Sequence, residues 1–361
     1  VELPHTCRRC FIARWLVVLT AFGLILAATA AVAQECPEIV ATLSLGYPDA
    51  GATDVVVEGT LAVVPRAAGI SVVDLTEPLD PRVVGQVLLD SPAIAIGFAD
   101  RLLYSAQGSL LRVFDLTDPS LPVEVGSMPL PGPPSDLAIA GPLLHLVDQE
   151  GLRVVDVSTP AAPETVGFLA GDYAAVAATG SYAYPFTPSF GQGWGGYLDV
   201  VDVTLPIDPQ RVRTFSTSSA DVLSVDEGKL LVAGLSGTIG WWWTVLELYE
   251  LTDPSDPQQV LSTGHSGGWC AGATYHGQLA FLSFYLTGPA RVEAFDARWW
   301  YTSPYSAVEL PDPRDLATLG RFLLVADQTL GLVVLDTTCV GGLFADGFES
   351  GGTGLWSEVW P

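Results

Sequence analysis

The sequence predicts an all-β protein, a seven-bladed β-propeller of four-stranded blades, closed by an N-terminal strand that completes the last blade. Three observations predict it. An acidic anchor, most often inside Val-Val-Asp, returns at positions 74, 115, 156, 202, 250, 296 and 336, in steps of 40 to 48 residues. Each period holds short apolar, β-rich runs bounded by Gly, Pro or Asp, and no stretch beyond residue 35 keeps a helical period. The last period stops at its third strand, while a spare fourth strand lies near the N-terminus. Units of this length cannot bury their own apolar faces, so neighbours must stack.

The third period shows the elements in order. Residues 135–140 read as a strand, and Gly141-Pro142 turns it. Residues 143–147 are a second strand, with a turn at Gln149-Glu150-Gly151. Residues 152–157 are a third, followed by the loop Thr159-Pro160-Ala161-Ala162-Pro163, and residues 165–169 are the fourth. A proline-rich loop suits the outer edge, because proline cannot donate to a central ladder. Four strands per period of about 40 residues is a propeller blade. Blades one to three span 52–89, 93–130 and 135–169 with short connections. For the seventh blade, Cys36-Pro37-Glu38-Ile39-Val40 aligns with Ala162-Pro163-Glu164-Thr165-Val166, so residues 38–45 supply its missing strand.

The pattern Val-Val-Asp-Val-Ser-Thr-Pro-x-x-Pro at 154–163 resembles the LVIVD-repeat family of bacterial and archaeal β-propellers. The resemblance covers residues 36–340; copies one to four are clear, five and six are degenerate, and seven lacks the proline loop. It implies a propeller and no particular activity, since propellers host many functions.

Composition narrows the function. The net charge is −25, from 40 acidic and 15 basic residues, which argues against nucleic acid and against docking on anionic lipid. Residues 1–33 read as a signal peptide: Arg8, Arg9 and Arg14 precede an apolar run at 15–30, and Ala31-Val32-Ala33 is a small-x-small cleavage site. No other segment is long and apolar enough to span a bilayer, so the mature chain is expected in the periplasm, at the cell surface or outside the cell, as a monomer. Export permits disulfides. Cys36 and Cys339 flank one strand-connecting loop if residues 38–45 close the ring, and their bridge is expected; a chain-entropy estimate for so long a loop is roughly 5 kcal/mol. Cys270 is left as a buried free thiol. Residues 341–361 form a tail resembling the Phe-x-Asp-Gly-Phe-Glu-Ser-Gly…Trp-Ser endings of some exported bacterial proteins, either a sorting signal or a loosely docked end.

Two sets of residues are candidates for function. Blades four to six carry insertions at 185–197, 234–244 and 263–270, expected to be loops on one face. They bring Phe190, Trp194, Tyr197, Trp241, Trp242, Trp243, His265 and Trp269 together, while Trp299-Trp300 fall on the opposite face. Aromatic, glycine-flanked loops on a rigid scaffold suit sugar rings, peptides or cations; packing between blades is the plainer role. The second set is Asp54, Asp136, Asp221 and Asp315, which open the innermost strands of alternate blades where Ala95, Ala175 and Gly272 stand in the others. These carboxylates either hold a cation such as calcium at a channel mouth or accept bonds from nearby backbone amides. The recurring Asp of Val-Val-Asp caps its turn. His265, Cys270 and His276 match no strong metal-site spacing, and His145 reads as structural.

No nucleophile elbow, phosphate loop or metalloprotease helix is present, so no catalytic residue and no cofactor is assigned. The expected function is an exported binding module for a protein or glycan, working through the aromatic face of blades four to six. The alternatives are an exported carbohydrate-active enzyme using the channel-mouth carboxylates, and a structural cell-envelope protein.

Overall fold

The structure is a computed structural model that describes residues 37–45, 51–67, 69–189, 195–218, 220–238, 241–265, 268–285, 289–297, 304 and 306–338. The signal segment, Cys36, Cys339, Phe190, Trp194, Trp299-Trp300 and the tail lie outside the described residues, as do the side chains of Trp241, Trp242 and His265.

Seven four-stranded antiparallel sheets are arranged as the blades of a propeller. Strand β1 (Glu38–Leu43) comes first and belongs to the last blade. Blade one is β2 (Val56–Glu58), β3 (Leu61–Arg66), β4 (Gly69–Asp74) and β5 (Arg82–Leu88). Blade two is β6 (Ala95–Ala99), β7 (Leu102–Gln107), β8 (Leu110–Asp115) and β9 (Val123–Pro129). Blade three is β10 (Asp136–Ala140), β11 (Leu143–Val147), β12 (Gly151–Asp156) and β13 (Glu164–Ala170), within a residue of the strands expected at 135–169. Blade four is β14 (Ala175–Thr179), β15 (Tyr182–Ser189), β16 (Gly195–Asp202) and β17 (Gln210–Thr217). Blade five is β18 (Val222–Asp226), β19 (Lys229–Thr238), β20 (Trp241–Glu250) and β21 (Gln258–His265). Blade six is β22 (Trp269–His276), β23 (Leu279–Tyr285), β24 (Arg291–Asp296) and β25 (Ser306–Glu309). Blade seven is β26 (Pro313–Leu319), β27 (Phe322–Asp327) and β28 (Gly331–Asp336), completed by β1.

The ring closes as the truncated last period requires. Strand β1 pairs antiparallel with β28, Ile39 facing Leu335 and Leu43 facing Leu332. Its register carries the repeat's own signature. In blades one to five the third and fourth strands are joined with a bulge, and the extra residue is Val84, Val125, Val166, Val212 or Val260. In β1 the residue in that place is Val40. A bulge re-aims and twists the outer strand, so β1 enters blade seven with the local geometry of an ordinary fourth strand.

The cores lie between blades. Val63, Val72 and Ile70 of blade one pack with Phe98, Leu103 and Phe114 of blade two. The same kind of apolar layer joins each following pair, and Ala62, Val64 and Val73 of blade one meet Leu324, Ala326, Leu332 and Val334 of blade seven, with Leu45 between them. The third-strand alternation of Val-Val-Asp explains this. Successive side chains point to opposite faces, so Val72 turns to blade two and Val73 to blade seven, while the acidic residue closes the turn. Asp74, Asp115, Asp156, Asp202 and Asp336 each accept a bond from the amide two residues on, at 2.7–2.9 Å. The hydroxyl of Thr76, Thr117 or Ser158, and then the amide of the same residue, hold the Asp74, Asp115 and Asp156 carboxyls below the usual carboxylate range.

A second joint was not foreseen. Gly85, Gly126 and Gly167 sit one residue after the bulge valine, and a Cβ at any of them would fall 1.9–2.1 Å from a carbonyl oxygen of the next blade's proline loop, at Pro119, Pro160 or Pro206. Each fourth strand thus rests directly on its neighbour's loop. In blade four the corresponding residue is Arg213, which instead forms an ion pair with Asp256 in the proline loop of blade five. Tyr184 reinforces that joint by donating to the Pro254 carbonyl at 2.9 Å.

Candidate functional site

The insertions of blades four to six are largely strand, not loop. Ser189 pairs with Gly195, Thr187 with Tyr197 and Thr238 with Trp241, so the second and third strands of blades four and five run on beyond the length seen in blades one to three. Thr263, Gly264 and His265 end β21, and Trp269-Cys270 begin β22. Long paired strands satisfy their own backbone groups, which lets glycine-rich, aromatic sequence stand up from the blades as hairpins. Tyr197, Trp243 and Trp269 are among the exposed large side chains, at 50%, 38% and 41%. Trp243 lies over Gly264, where a Cβ would come 3.0 Å from its ring.

Buried carboxylates beneath these hairpins escaped the sequence reading. Asp199, Glu247 and Glu293 stand three residues before the acidic anchor of blades four, five and six, where the other blades have Ser71, Arg112, Arg153 and Val333. All three are buried. Asp199 accepts from Tyr173 Oη at 2.8 Å and from Arg211 Nε at 2.7 Å, and Thr214 also bonds it. Glu247 accepts from Tyr249 Oη at 2.9 Å and from Thr217 of the preceding blade. Glu293 pairs with Arg291 Nε at 2.6 Å. A buried charge needs such partners, and here they brace blades four, five and six. The signal was legible: an acidic residue replaces a neutral or basic one at a fixed place in the repeat.

At the middle of the ring is a cavity of about 480 Å³ whose lining includes Asp54, Asp136, Asp221 and Asp315 together with Ala95 and Ala175. The four aspartates therefore do converge. Asp136, Asp221 and Asp315 each take at least one backbone donor. Asp136 Oδ1 accepts from Leu137 N at 2.7 Å, and its Oδ2 from Val176 N of blade four at 2.9 Å. Asp315 Oδ2 accepts from Val55 N of blade one at 3.1 Å, and Asp221 Oδ2 from Leu235 N at 3.0 Å. Asp136 and Asp315 thus tie the innermost strand of one blade to that of the next. Burial pushes the Asp136 carboxyl up to about 7, against the pull of its two amide donors.

A second cavity, of about 370 Å³, shares Thr53, Asp221 and Ala271 with the first. Trp269, Cys270, Tyr285, Arg314 and Gln328 complete its wall. Arg314 lies over the Tyr285 ring at 4.5 Å and is held by Asp312 and by Gln328 Oε1, both at 3.0 Å. Aromatic and guanidinium faces fixed in this way offer flat, preorganised contact area. Trp269 thus stands where the aromatic set meets the channel mouth. His276 turns away from it, its Nδ1 3.0 Å from Glu227 of blade five, and Cys270 is a buried free thiol whose ionisation is pushed up by burial.

The repeat profile described as LVIVD repeat matches residues 131–170, the third blade, and residues 312–337, the last. The chain carries LVIVD repeats. The two matched segments hold Asp136 and Asp315, the two residues that tie inner strands together across a blade junction. No curated protein matches this LVIVD-repeat chain. Among solved structures it is similar to Kuenenia stuttgartiensis hydrazine synthase, at 11% identity and a TM-score of 0.65, over 82% of this chain and 99% of that one. It is also similar to the Cps50 (Swd1) β-propeller domain of Myceliophteria thermophila, at 13% identity and a TM-score of 0.59, over 79% and 96%. BamB from Moraxella catarrhalis matches at 10% identity and a TM-score of 0.53, over 82% and 97%. At these identities the likeness is one of fold alone.

Proposed function

We propose that this LVIVD propeller is an exported binding module that takes a protein or glycan ligand on the face built by blades four to six. The observation that carries the reading is the cavity walled by Trp269, Tyr285, Arg314 and Gln328, with Trp243 and Tyr197 exposed on the hairpins of the two preceding blades. Large rigid aromatic side chains bury area at low entropic cost, and such anchors dominate binding energy. The leader-like sequence at 1–33 supports export, and the pairing of β1 with β28 supports a Cys36–Cys339 bridge, since in the sequence Cys36 shortly precedes β1 and Cys339 shortly follows β28.

The carbohydrate-enzyme alternative draws less support. Both oxygens of Asp136 already receive backbone amides, and Asp315 receives another from the neighbouring blade. Peptide and glycan arrays probed with the wild-type protein and with W269A and W243A test the proposal. Loss of at least tenfold in affinity, with an unchanged circular dichroism spectrum, is expected from W269A. Array binding that survives both substitutions would reject this face. Turnover of a glycoside that D136N abolishes would favour the enzyme instead.

A further inference from the structure

We propose that Asp54 and Asp315 form a proton-held latch between the first and last blades, closed when one proton is shared between the two carboxyls and loosened when both ionise. The junction they occupy is the one that closes the ring. It is held on the outside by the β1–β28 ladder and on the inside by contacts between β26 and β2. At the inner contact Asp315 Oδ2 accepts from Val55 N at 3.1 Å, and the Asp315 and Asp54 carboxyls are themselves hydrogen-bonded to each other. Two carboxyl groups in hydrogen-bond contact require a proton between them; two carboxylates there would repel.

The surroundings favour the protonated form. Burial raises both carboxyls, and for Asp315 the charge of Asp54 and the bond to it act in the same direction. The charged and titratable groups on the elements packed around the pair are mostly acidic or turned elsewhere. Across the lumen are Asp136, which the Asp54 charge also raises, and Asp221. On β22, burial pushes the Cys270 thiol up, Tyr275 donates to the Gly277 carbonyl, and His276 faces Glu227. On β23, Tyr285 lies under Arg314. On β27, Asp327 accepts from Asp312 N, Thr329 N and Leu330 N. Arg314, next in sequence, is engaged by Asp312 and Gln328; Arg66 of β3 donates to the Leu45 carbonyl, and Glu58 of β2 accepts from the Asp100 and Arg101 amides. Among the described residues on these elements, none of the cations named is directed at the pair.

The sign follows from linkage. A carboxyl raised in the folded state binds more protons folded than unfolded, so its stabilisation is full below the unfolded value near 4 and is lost as pH rises through the folded value. Gly272 shows how close the neighbouring inner strand lies: a Cβ there would fall 2.6 Å from the Asp315 Cα.

The test is thermal unfolding of the full chain from pH 5 to pH 9 for wild type, D54N, D315N and D90N. The side-chain amide that D54N introduces keeps a hydrogen bond to Asp315 without needing a proton, and the one that D315N introduces keeps an oxygen for Val55 N. Asp90 is exposed and serves as the control for removing one negative charge. The quantity read is variant minus wild type, in which the titrating groups that do not feel the Asp54 charge cancel; because that charge also raises Asp136, the comparison is repeated with D136N in both backgrounds. Between pH 5 and pH 9, D54N is expected to gain at least about 2 °C over wild type, with D90N flat. Amide exchange at Val55, corrected for its intrinsic pH dependence, should accelerate with pH in wild type and not in D54N. A D54N difference that is flat with pH, or that D90N reproduces, overturns the latch; should D54N fail to fold, D315N is read by the same criterion.

Discussion

His145 is the most enclosed ionisable side chain in the third blade. It lies on β11 with no exposed surface, opposite Ala138 and Val154, and neither ring nitrogen has a well-formed hydrogen bond. The Ala138 backbone favours the charged ring a little, but burial dominates and takes its pKa down to about 4. The consequence is opposite in sign to that of the latch. A base depressed in the folded state costs stability as pH falls from the unfolded value near 6.5 toward 4. Replacing it with an apolar residue, H145L, should therefore gain on wild type by roughly 2 kcal/mol between pH 6.5 and pH 5. Urea unfolding at the two pH values measures this; an equal difference at both would mean the ring is not charged on unfolding. The residue scale was partly legible. A lone histidine between leucines in a strand reads as structural, but the lack of a well-formed hydrogen bond at either ring nitrogen came only with the fold.

At the scale of the element, the unit that repeats is a joint as much as a sheet. Gly126 leaves room for the Pro160 carbonyl of the next blade, which a Cβ would approach to 2.1 Å. Neither group has slack, because both belong to backbone. G126A should thus cost about 1–3 kcal/mol, the usual range for overpacking, read as a lower urea midpoint with an unchanged slope. A cost near zero would show that the loop moves away freely. The spacing of Gly85, Gly126 and Gly167 repeats every 41 residues in the sequence. That glycine was visible as part of the repeat, yet its function was not, since it depends on an atom about 35 residues away. The insertions of blades four and five were read as loops for a related reason. Glycine and proline at 188–196 and glycine at 234–240 signal turns locally, but pairing across the hairpin overrides them.

At the scale of the molecule, stability rests on closure. A propeller blade has apolar side chains on both faces, and only a ring covers all of them. Residues 37–45 supply the outer strand of blade seven and place Leu45 in the layer between blades seven and one. Deleting them would expose the edge of β28 and leave that layer incomplete. The shortened chain should lose its cooperative thermal transition or melt well below wild type, and a synthetic peptide of residues 36–46 added in excess should restore part of the loss. A deletion that melts like wild type would remove β1 from the closing role. The aromatic face sits on the same scale, since Trp269, Tyr285 and Arg314 come from blades six and seven and share their cavity wall with Asp221 of blade five.

The sequence by itself determined the seven periods, the strand pattern within each and the origin of the closing strand. Those follow from local rules: alternation of side chains, the chemistry of turns, and a count that leaves one strand spare at the start and one missing at the end. Only the tertiary structure decided which side chains meet. That Asp54 reaches Asp315, that Asp136 bonds Val176, and that Asp199, Glu247 and Glu293 lie buried under the hairpins are contacts between residues far apart in the chain or hidden by neighbouring blades. The repeat marks the position of the three buried carboxylates, but no spacing encodes these contacts, because ring geometry sets those distances and the chain between them is only a tether.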